Sequence, residues 1–224
     1  MSNWGDNMAK IEKDRPLSSH TKLNYYECYA KIVLEDVFSE QFCDLIIADK
    51  PDLQSSGKGI GIEVTIADNQ KTLETERLYS QLPYTSSSEI QRRIERIEQC
   101  GAKYEHGILL TFGNDNFNLV NEAVNRKTNK LQNAGYAPFQ EYHLFVFSNI
   151  CANDIMLQEE LAFLQSIHAD NVWGKIYILV PGDLYCFSLG EATYKRIGID
   201  FDTQLQHALK ARQMVEEGEE DDQT

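Results

Sequence analysis

Helix-like and strand-like patterns alternate along most of the 224 residues, and this alternation restricts the fold more than any other feature. Apolar residues recur at helical spacing in segments that predict amphipathic helices at about 22–40, 69–81, 88–100, 115–132, 154–168 and 205–215. Short apolar or alternating runs predict strands at about 43–48, 60–67, 107–112, 142–148, 175–180 and 184–189. Strands separated by helices form parallel pairs, so we expect an α/β fold with a mixed central sheet flanked by helices.

The length and the composition, 42% hydrophobic and 25% charged, suit one large globular domain. Residues 1–20 are polar and are expected to form a flexible leader. The chain ends in a run of acidic residues, which predicts an acidic disordered tail at 215–224. We therefore expect a single α/β domain at 21–214.

Several classes of protein are disfavoured by the sequence. No apolar run reaches the roughly 20 residues that span a bilayer, and the polar N-terminus lacks a signal peptide, so a cytoplasmic protein without a membrane partner is expected. The cysteines form no CxxC pair and the histidines no HExxH motif, which argues against zinc. The oligomeric state stays open, and a homodimer is compatible with the sequence.

The net charge of −14 at first argues against a nucleic-acid partner. Six of the negative charges lie in the acidic tail, however, and removing them leaves −8. A protein that acts on nucleic acid can be acidic overall, because its contacts with phosphate need only a local basic face. Nucleic acid therefore remains a candidate partner.

The segment 51–67 carries the candidate chemistry. In the strand at 60–67, the side chains of Ile60, Ile62, Val64 and Ile66 alternate with those of Gly61, Glu63, Thr65 and Ala67. The isoleucines and the valine are expected in the core, and Glu63 on the face with small side chains. Asp52 lies within hairpin reach of Glu63, and two carboxylates suit Mg²⁺ or Mn²⁺. In the alternative interpretation, Asp52 caps a turn and Glu63 pairs with a basic residue.

The order Pro51-Asp52, a short hairpin and Gly61-Ile62-Glu63-Val64 resembles the core of the PD-(D/E)xK nucleases, the restriction-endonuclease-like superfamily. In that superfamily a helix with an acidic residue precedes the hairpin, as 22–40 does here. The run Ile62-Glu63-Val64-Thr65-x-Ala67 also resembles bacterial members, in which a basic helix such as 125–130 precedes an aromatic strand. The resemblance implies a Mg²⁺- or Mn²⁺-dependent endonuclease or exonuclease that acts on DNA or RNA, with metal ligands Asp52 and Glu63.

The sequence departs from that pattern at Thr65, where the superfamily normally has a lysine that stabilises charge near the phosphate. Lys71 is the nearest substitute in sequence, and Lys58 in the turn is a less favourable one. Lys127 and Lys130 share a helix face and could point inward or, with Arg126, contact phosphate. The catalytic candidates are therefore Asp52, Glu63, Thr65 and Lys71.

The preceding helix offers two glutamates, Glu27 and Glu35, as an additional metal ligand, and Glu27 is preferred by its distance from the hairpin. A second hypothesis belongs to another class: a catalytically inactive relative that keeps the nuclease fold as a binding or interaction module. The missing lysine and the negative charge both favour that alternative.

Overall fold

The computed structural model describes residues 16–17, 21–105, 108–111, 114–133, 135–167 and 172–220. The described residues divide into two compact units, one formed by residues 21–68 with residues from 114 to 220, the other formed by residues from 69 to 111. The sequence predicted a single domain at 21–214. The predicted leader at 1–20 lies outside the described residues except for Pro16 and Leu17.

In chain order the helices are α1 (Tyr25–Val37), α2 (Gln70–Gln81), α3 (Ser87–Gln99), α4 (Asn118–Asn133), α5 (Asp154–Ile167) and α6 (Phe201–Glu220). The strands are β1 (Ile46–Ile47), β2 (Leu53–Ser55), β3 (Ile60–Ile66), β4 (Lys103–Glu105), β5 (Ile108–Leu110), β6 (Glu141–Phe147), β7 (Lys175–Val180), β8 (Asp183–Ser188) and β9 (Thr193–Gly198). None of the described helices is long and apolar enough to cross a membrane.

The larger unit is built on a seven-stranded sheet in the order β1-β2-β3-β6-β7-β8-β9. Strands β3, β6 and β7 pair in parallel, and the pairs at both edges are antiparallel. The α/β fold with a mixed central sheet flanked by helices is therefore confirmed.

Apolar side chains cover both faces of this sheet. On one face, Val33 and Leu34 of α1 share a buried cluster with Ile62 and Val64, and α6 packs on α1. On the other face, helices α4 and α5 share a second buried cluster with β6 and β7, which includes Ala67 at the end of β3. The predicted alternation of β3 is therefore confirmed, and Glu63 belongs to the face that α4 covers.

The smaller unit contains the helical pair α2 and α3 and a two-stranded sheet of β4 and β5. A buried strand was predicted at 107–112, and among the described residues of that range Ile108–Leu110 form β5, which pairs with β4. Ile108 and Leu110 are 60% and 48% exposed, so the apolar run is not a core strand.

The C-terminal helix is longer than predicted. Residues 215–220, expected as the beginning of a disordered acidic tail, continue α6 as regular helix. Ala211 and Val215 are fully buried, and this packing explains why the helix continues into the acidic run. Residues 221–224 lie outside the described part of the chain.

Candidate functional site

The hairpin of β2 and β3 places Asp52 beside Glu63. β2 pairs antiparallel with β3, with Leu53 opposite Ile62, so the residue before β2 lies next to the middle of β3. The Oδ2 atom of Asp52 accepts a hydrogen bond of 2.7 Å from the backbone N–H of Val64. The proximity of the two carboxylates expected from the sequence is thus produced by hairpin register and by a backbone hydrogen bond.

Gly61 permits the close approach within this hairpin. A Cβ atom at this position would lie 2.5 Å from Cγ of Pro51 and 3.1 Å from Cδ2 of Phe139. The first distance is shorter than any ordinary carbon–carbon contact, so a larger residue would push the segment of Pro51 and Asp52 away from β3.

The carboxylate of Glu63 is completely buried, with 0% of the side chain exposed, and its partner comes from α4. The Nζ atom of Lys127 lies 2.5 Å from Oε2 of Glu63 and 3.2 Å from Oδ2 of Asp52. Lys127 itself is only 12% exposed. One ammonium group therefore bridges the two carboxylates, and an ionised carboxylate can be buried at low cost only with such a partner.

Helix α4 is held in the orientation that directs Lys127 inward. Val124 is fully buried, and Thr128 accepts a hydrogen bond of 2.8 Å from the indole N–H of the buried Trp173. Lys127 is three residues after Val124 and therefore shares its helix face. The same packing that covers the sheet brings the ammonium group to the carboxylates.

Two further basic side chains of α4 reach the same face of β3. Nη2 of Arg126 donates a hydrogen bond of 3.0 Å to Oγ1 of Thr65. Nζ of Lys130 lies 4.0 Å from Oε2 of Glu63 and its side chain is 48% exposed. Arg126 and Lys130 of α4 thus place positive charge on the face of β3 that carries the neutral side chain of Thr65.

Glu27 is the glutamate of α1 that faces the pair of carboxylates. It lies in the first turn of the helix, which begins at Tyr25 after the N-cap Asn24. Burial, followed by the negative charge of Asp52, raises the pKa of the Glu27 carboxyl to about 7, with smaller effects from Lys127 and Glu63. Glu35, the alternative, instead forms a short ion pair with Lys31 on the same helix.

Tyr136, which was not among the predicted residues, also lies near this site. Burial, followed by the charge of Glu63, raises the pKa of its hydroxyl above the ordinary value. The Tyr136 hydroxyl is buried, and its interaction with the Glu63 carboxylate also contributes to the raised pKa. Tyr136 stands in the segment between α4 and β6, where the sequence carries no recognisable signal.

Lys71, the candidate nearest in sequence, lies in α2 of the smaller unit. There it is exposed and lines a cleft of about 520 Å³ with Asn69, Thr75 and Thr111. The lysine that contacts both carboxylates is Lys127, which the sequence offered only as one of several alternatives. Within the described ranges, no three His, Cys, Asp or Glu side chains form a ready metal-binding group.

Comparison with protein-family models, with curated proteins and with solved structures finds no match for this chain.

Proposed function

We propose that the chain is a metal-dependent phosphodiesterase of the PD-(D/E)xK type that cleaves DNA or RNA. The observation that carries the proposal is the position of Lys127, whose ammonium group contacts Asp52 and Glu63 together. A carboxylate pair with a lysine beside it is the set of groups that the sequence resemblance implies, with the lysine moved from β3 to α4. The order of α1, the β2–β3 hairpin, α4 and the parallel strand β6 supports a restriction-endonuclease-like core.

The carboxylates around Glu63 are oxygen donors of the type that a hard divalent cation prefers, although among the described residues they do not form a ready three-ligand group. Glu63 contacts Lys127 and interacts with the Tyr136 hydroxyl, so a cation would take the place of part of these interactions. Near neutral pH Glu27 is only partly ionised, and Lys127 together with the half-exposed Lys130 offsets most of the charge of Asp52 and Glu63. Asp52 and Glu63 would hold Mg²⁺ or Mn²⁺, with Glu27 as an additional ligand. Such a cation lowers the pKa of a bound water and stabilises negative charge on a phosphate.

The side chains of α4 would act on the substrate. Lys127 is held by two hydrogen-bonded carboxylates and would stabilise the charge that develops on the scissile phosphate. Lys130 is about half exposed and would contact a phosphate oxygen directly. Arg126 would keep Thr65, and with it the end of β3, in place.

Cleavage of labelled single-stranded and double-stranded DNA and RNA, with Mg²⁺, Mn²⁺ or EDTA, tests the proposal. We expect metal-dependent cleavage by the wild type and a loss of at least about 100-fold in Glu63→Gln and Lys127→Met, since one group that stabilises the transition state is worth that much. Glu27→Gln should reduce cleavage, whereas Glu35→Gln, its control on the same helix, should not. Absence of cleavage of every substrate with either metal would contradict the proposal.

A catalytically inactive binding module is the second candidate, and one observation favours it. The ammonium of Lys127 neutralises Glu63 without a metal, so the cluster is also a complete internal ion pair. Thermal unfolding during a Mn²⁺ titration separates the candidates. The nuclease predicts stabilisation that disappears in Glu63→Gln, because a ligand that binds only the folded state raises its stability. The inactive module predicts no response in either protein.

A further inference from the structure

Arginine side chains from α2 and α3 line one cleft of about 290 Å³ in the smaller unit. Its charged and polar lining consists of Arg77 and Gln81 from α2, and Glu89, Arg92, Arg93 and Arg96 from α3. All of these residues belong to the segment 69–112, so the cleft lies within one compact unit.

The charges of α3 are separated around the helix. At about 100° per residue, Arg92, Arg93 and Arg96 fall within an arc of about 100°. Glu95 and Glu98 lie outside that arc, more than about 100° from its centre. Glu89 also falls within the arc, so this face carries three arginines and one glutamate. The sequence of this helix looks like a mixed-charge surface, but the helical arrangement gives it one face that is basic on balance.

Four arginines and Glu89 line the cleft, and only part of the positive charge is offset by neighbouring carboxylates. Arg96 forms a two-pronged ion pair with Glu74, through distances of 2.8 and 2.9 Å. Arg93 donates to the amide oxygen of Gln81, which is neutral, and keeps its charge available. Arg77 and Arg92 are both exposed, and among the described residues neither has a carboxylate within ion-pair distance. The hydrogen bond from Arg96 and, to a smaller extent, the charge of Arg77 lower the pKa of the Glu74 carboxyl.

The acidity of the rest of the sequence makes this local charge more significant. Residues 69–112 contain six Lys or Arg and six Asp or Glu, so the segment is neutral while the whole chain carries −14. A polyanion is repelled by the field of the acidic remainder and can bind only where the local potential is positive. A guanidinium group presents two parallel N–H donors that match two oxygens of a phosphate.

We infer that the cleft formed by Arg77, Arg92 and Arg93 binds the phosphodiester backbone of a nucleic acid. The inference rests on the proposed nuclease function, and it assigns substrate binding to residues other than those that surround Glu63. Contacts of this kind position a nucleic acid without reading its bases, so binding is independent of sequence.

Fluorescence anisotropy with a labelled mixed-sequence oligonucleotide and the full-length protein in EDTA tests the inference. EDTA prevents metal-dependent cleavage, so binding is measured alone. In Arg77→Gln/Arg92→Gln we expect about tenfold weaker binding at moderate salt, and a salt dependence reduced by about 1.4 to 1.8 in log–log slope for two lost phosphate contacts.

Two control variants separate the geometry of the cleft from net charge. Lys195→Gln/Lys210→Gln removes the same charge from two exposed positions of the larger unit and should change the affinity by less than about twofold. Arg77→Lys/Arg92→Lys keeps the charge and should retain most of the binding. Circular dichroism and thermal unfolding of each variant establish that it is folded.

Four results would contradict nucleic-acid binding by the cleft or the proposed nuclease function. Equal affinity of the glutamine pair and the wild type, or no binding by the wild type, overturns the inference. Displacement of the oligonucleotide by poly-glutamate at equal charge concentration also overturns it, because the cleft would then bind acidic peptides equally well. Arginine-dependent binding without any Mg²⁺- or Mn²⁺-dependent cleavage would contradict the proposed function and leave the binding surface intact.

Discussion

At the scale of single residues, Lys127 occupies a position where the periodicity of α4 predicts an apolar side chain. Val120, Ala123 and Val124 are buried, and Leu131 packs against the same cluster. Lys127 lies on this stripe, and a lysine at a core position is the sequence signal that could have distinguished it from Lys71 and Lys58. The signal has meaning only once the helix is known to cover β3, because the same spacing on a surface helix leaves a lysine in solvent.

Replacing Lys127 with methionine should destabilise the protein. The change keeps the length of the side chain but leaves two carboxylates near each other, one of them fully buried, with only the half-exposed Lys130 as a cation 4.0 Å from Glu63. We expect a loss of about 3–5 kcal/mol in the free energy of unfolding, measured by urea denaturation.

The double variant Lys127→Met/Glu63→Gln provides the control, because it removes the buried charge together with its partner. It should recover much of the lost stability, and Lys130→Met, at the more exposed lysine, should cost less than about 1 kcal/mol. A double variant less stable than Lys127→Met would show that the ion pair is not the source of the effect.

Glu160 gives a prediction about pH. This residue of α5 is 6% exposed, and burial raises the pKa of its carboxyl to about 7, opposed by a hydrogen bond from Asn121. Because the folded state holds this proton more tightly than the unfolded state, the contribution of Glu160 to stability is present below the unfolded pKa. It is lost as the pH rises through about 7.

Glu160→Gln should therefore stabilise the protein at pH 8, on the order of 2 kcal/mol, and have little effect at pH 4. The new amide can also donate to Oδ1 of Asn121, which is buried without a hydrogen-bond partner among the described residues. Urea denaturation across this pH range measures the effect, and Glu159→Gln, at an exposed position of the same helix, is the control. An equal gain at both pH values would contradict the assignment.

At the scale of secondary-structure elements, the β2–β3 hairpin depends on Gly61. In Gly61→Ala the new Cβ atom would lie 2.5 Å from Cγ of Pro51, so the hairpin must shift. We expect a loss of about 1–3 kcal/mol in urea denaturation and a weaker Mn²⁺ response. Gly198→Ala in β9 is the control, because no atom lies within 4 Å of the added Cβ. Equal stability of the two variants would show that the close approach is not required.

The sequence predicted the elements whose pattern reflects burial on a sheet face or a helix stripe. The alternation of β3 identified the faces of Glu63 and Ile62, and the helices α2 and α5 begin and end within a residue or two of the predicted positions. β9 was missed, since its exposed residues Lys195 and Arg196 interrupt any period-two pattern. An edge strand exposed to solvent obtains its structure from pairing with β8, which no local signal records.

The site was predicted in part for a similar reason. The approach of Asp52 to Glu63 follows from hairpin register, which is local in sequence. The contacts of Lys127 and Tyr136 with Glu63 depend on how α4 and the following segment pack, over separations of more than 60 residues. Packing at that distance is fixed by the whole core and not by any single segment.

At the scale of the whole molecule, the uneven distribution of charge should control the response to salt. The chain carries a net charge of −14, and its segment 69–112 is neutral. The repulsion between like charges is therefore concentrated in the other residues of the chain. Screening by NaCl should raise the temperature of thermal unfolding at pH 8. The effect should disappear near the isoelectric point of about 4.7. A fall with added salt at pH 8 would mean that attractive ion pairs dominate instead.

The parallel pairing of β3 with β6 has a kinetic consequence. Ile60 lies opposite Glu141 and Ile66 opposite Phe147, so the strand that carries Glu63 reaches its register only when a chain segment of about 80 residues closes into a loop. The entropy of closing such a loop grows only slowly with its length, by about 0.6 kcal/mol for each doubling. The segment 69–112 therefore slows the pairing of β3 with β6 during folding, but it adds little to the free energy of closing the loop. The surroundings of Glu63 are expected to form late in folding, after the local hairpin of β7 and β8.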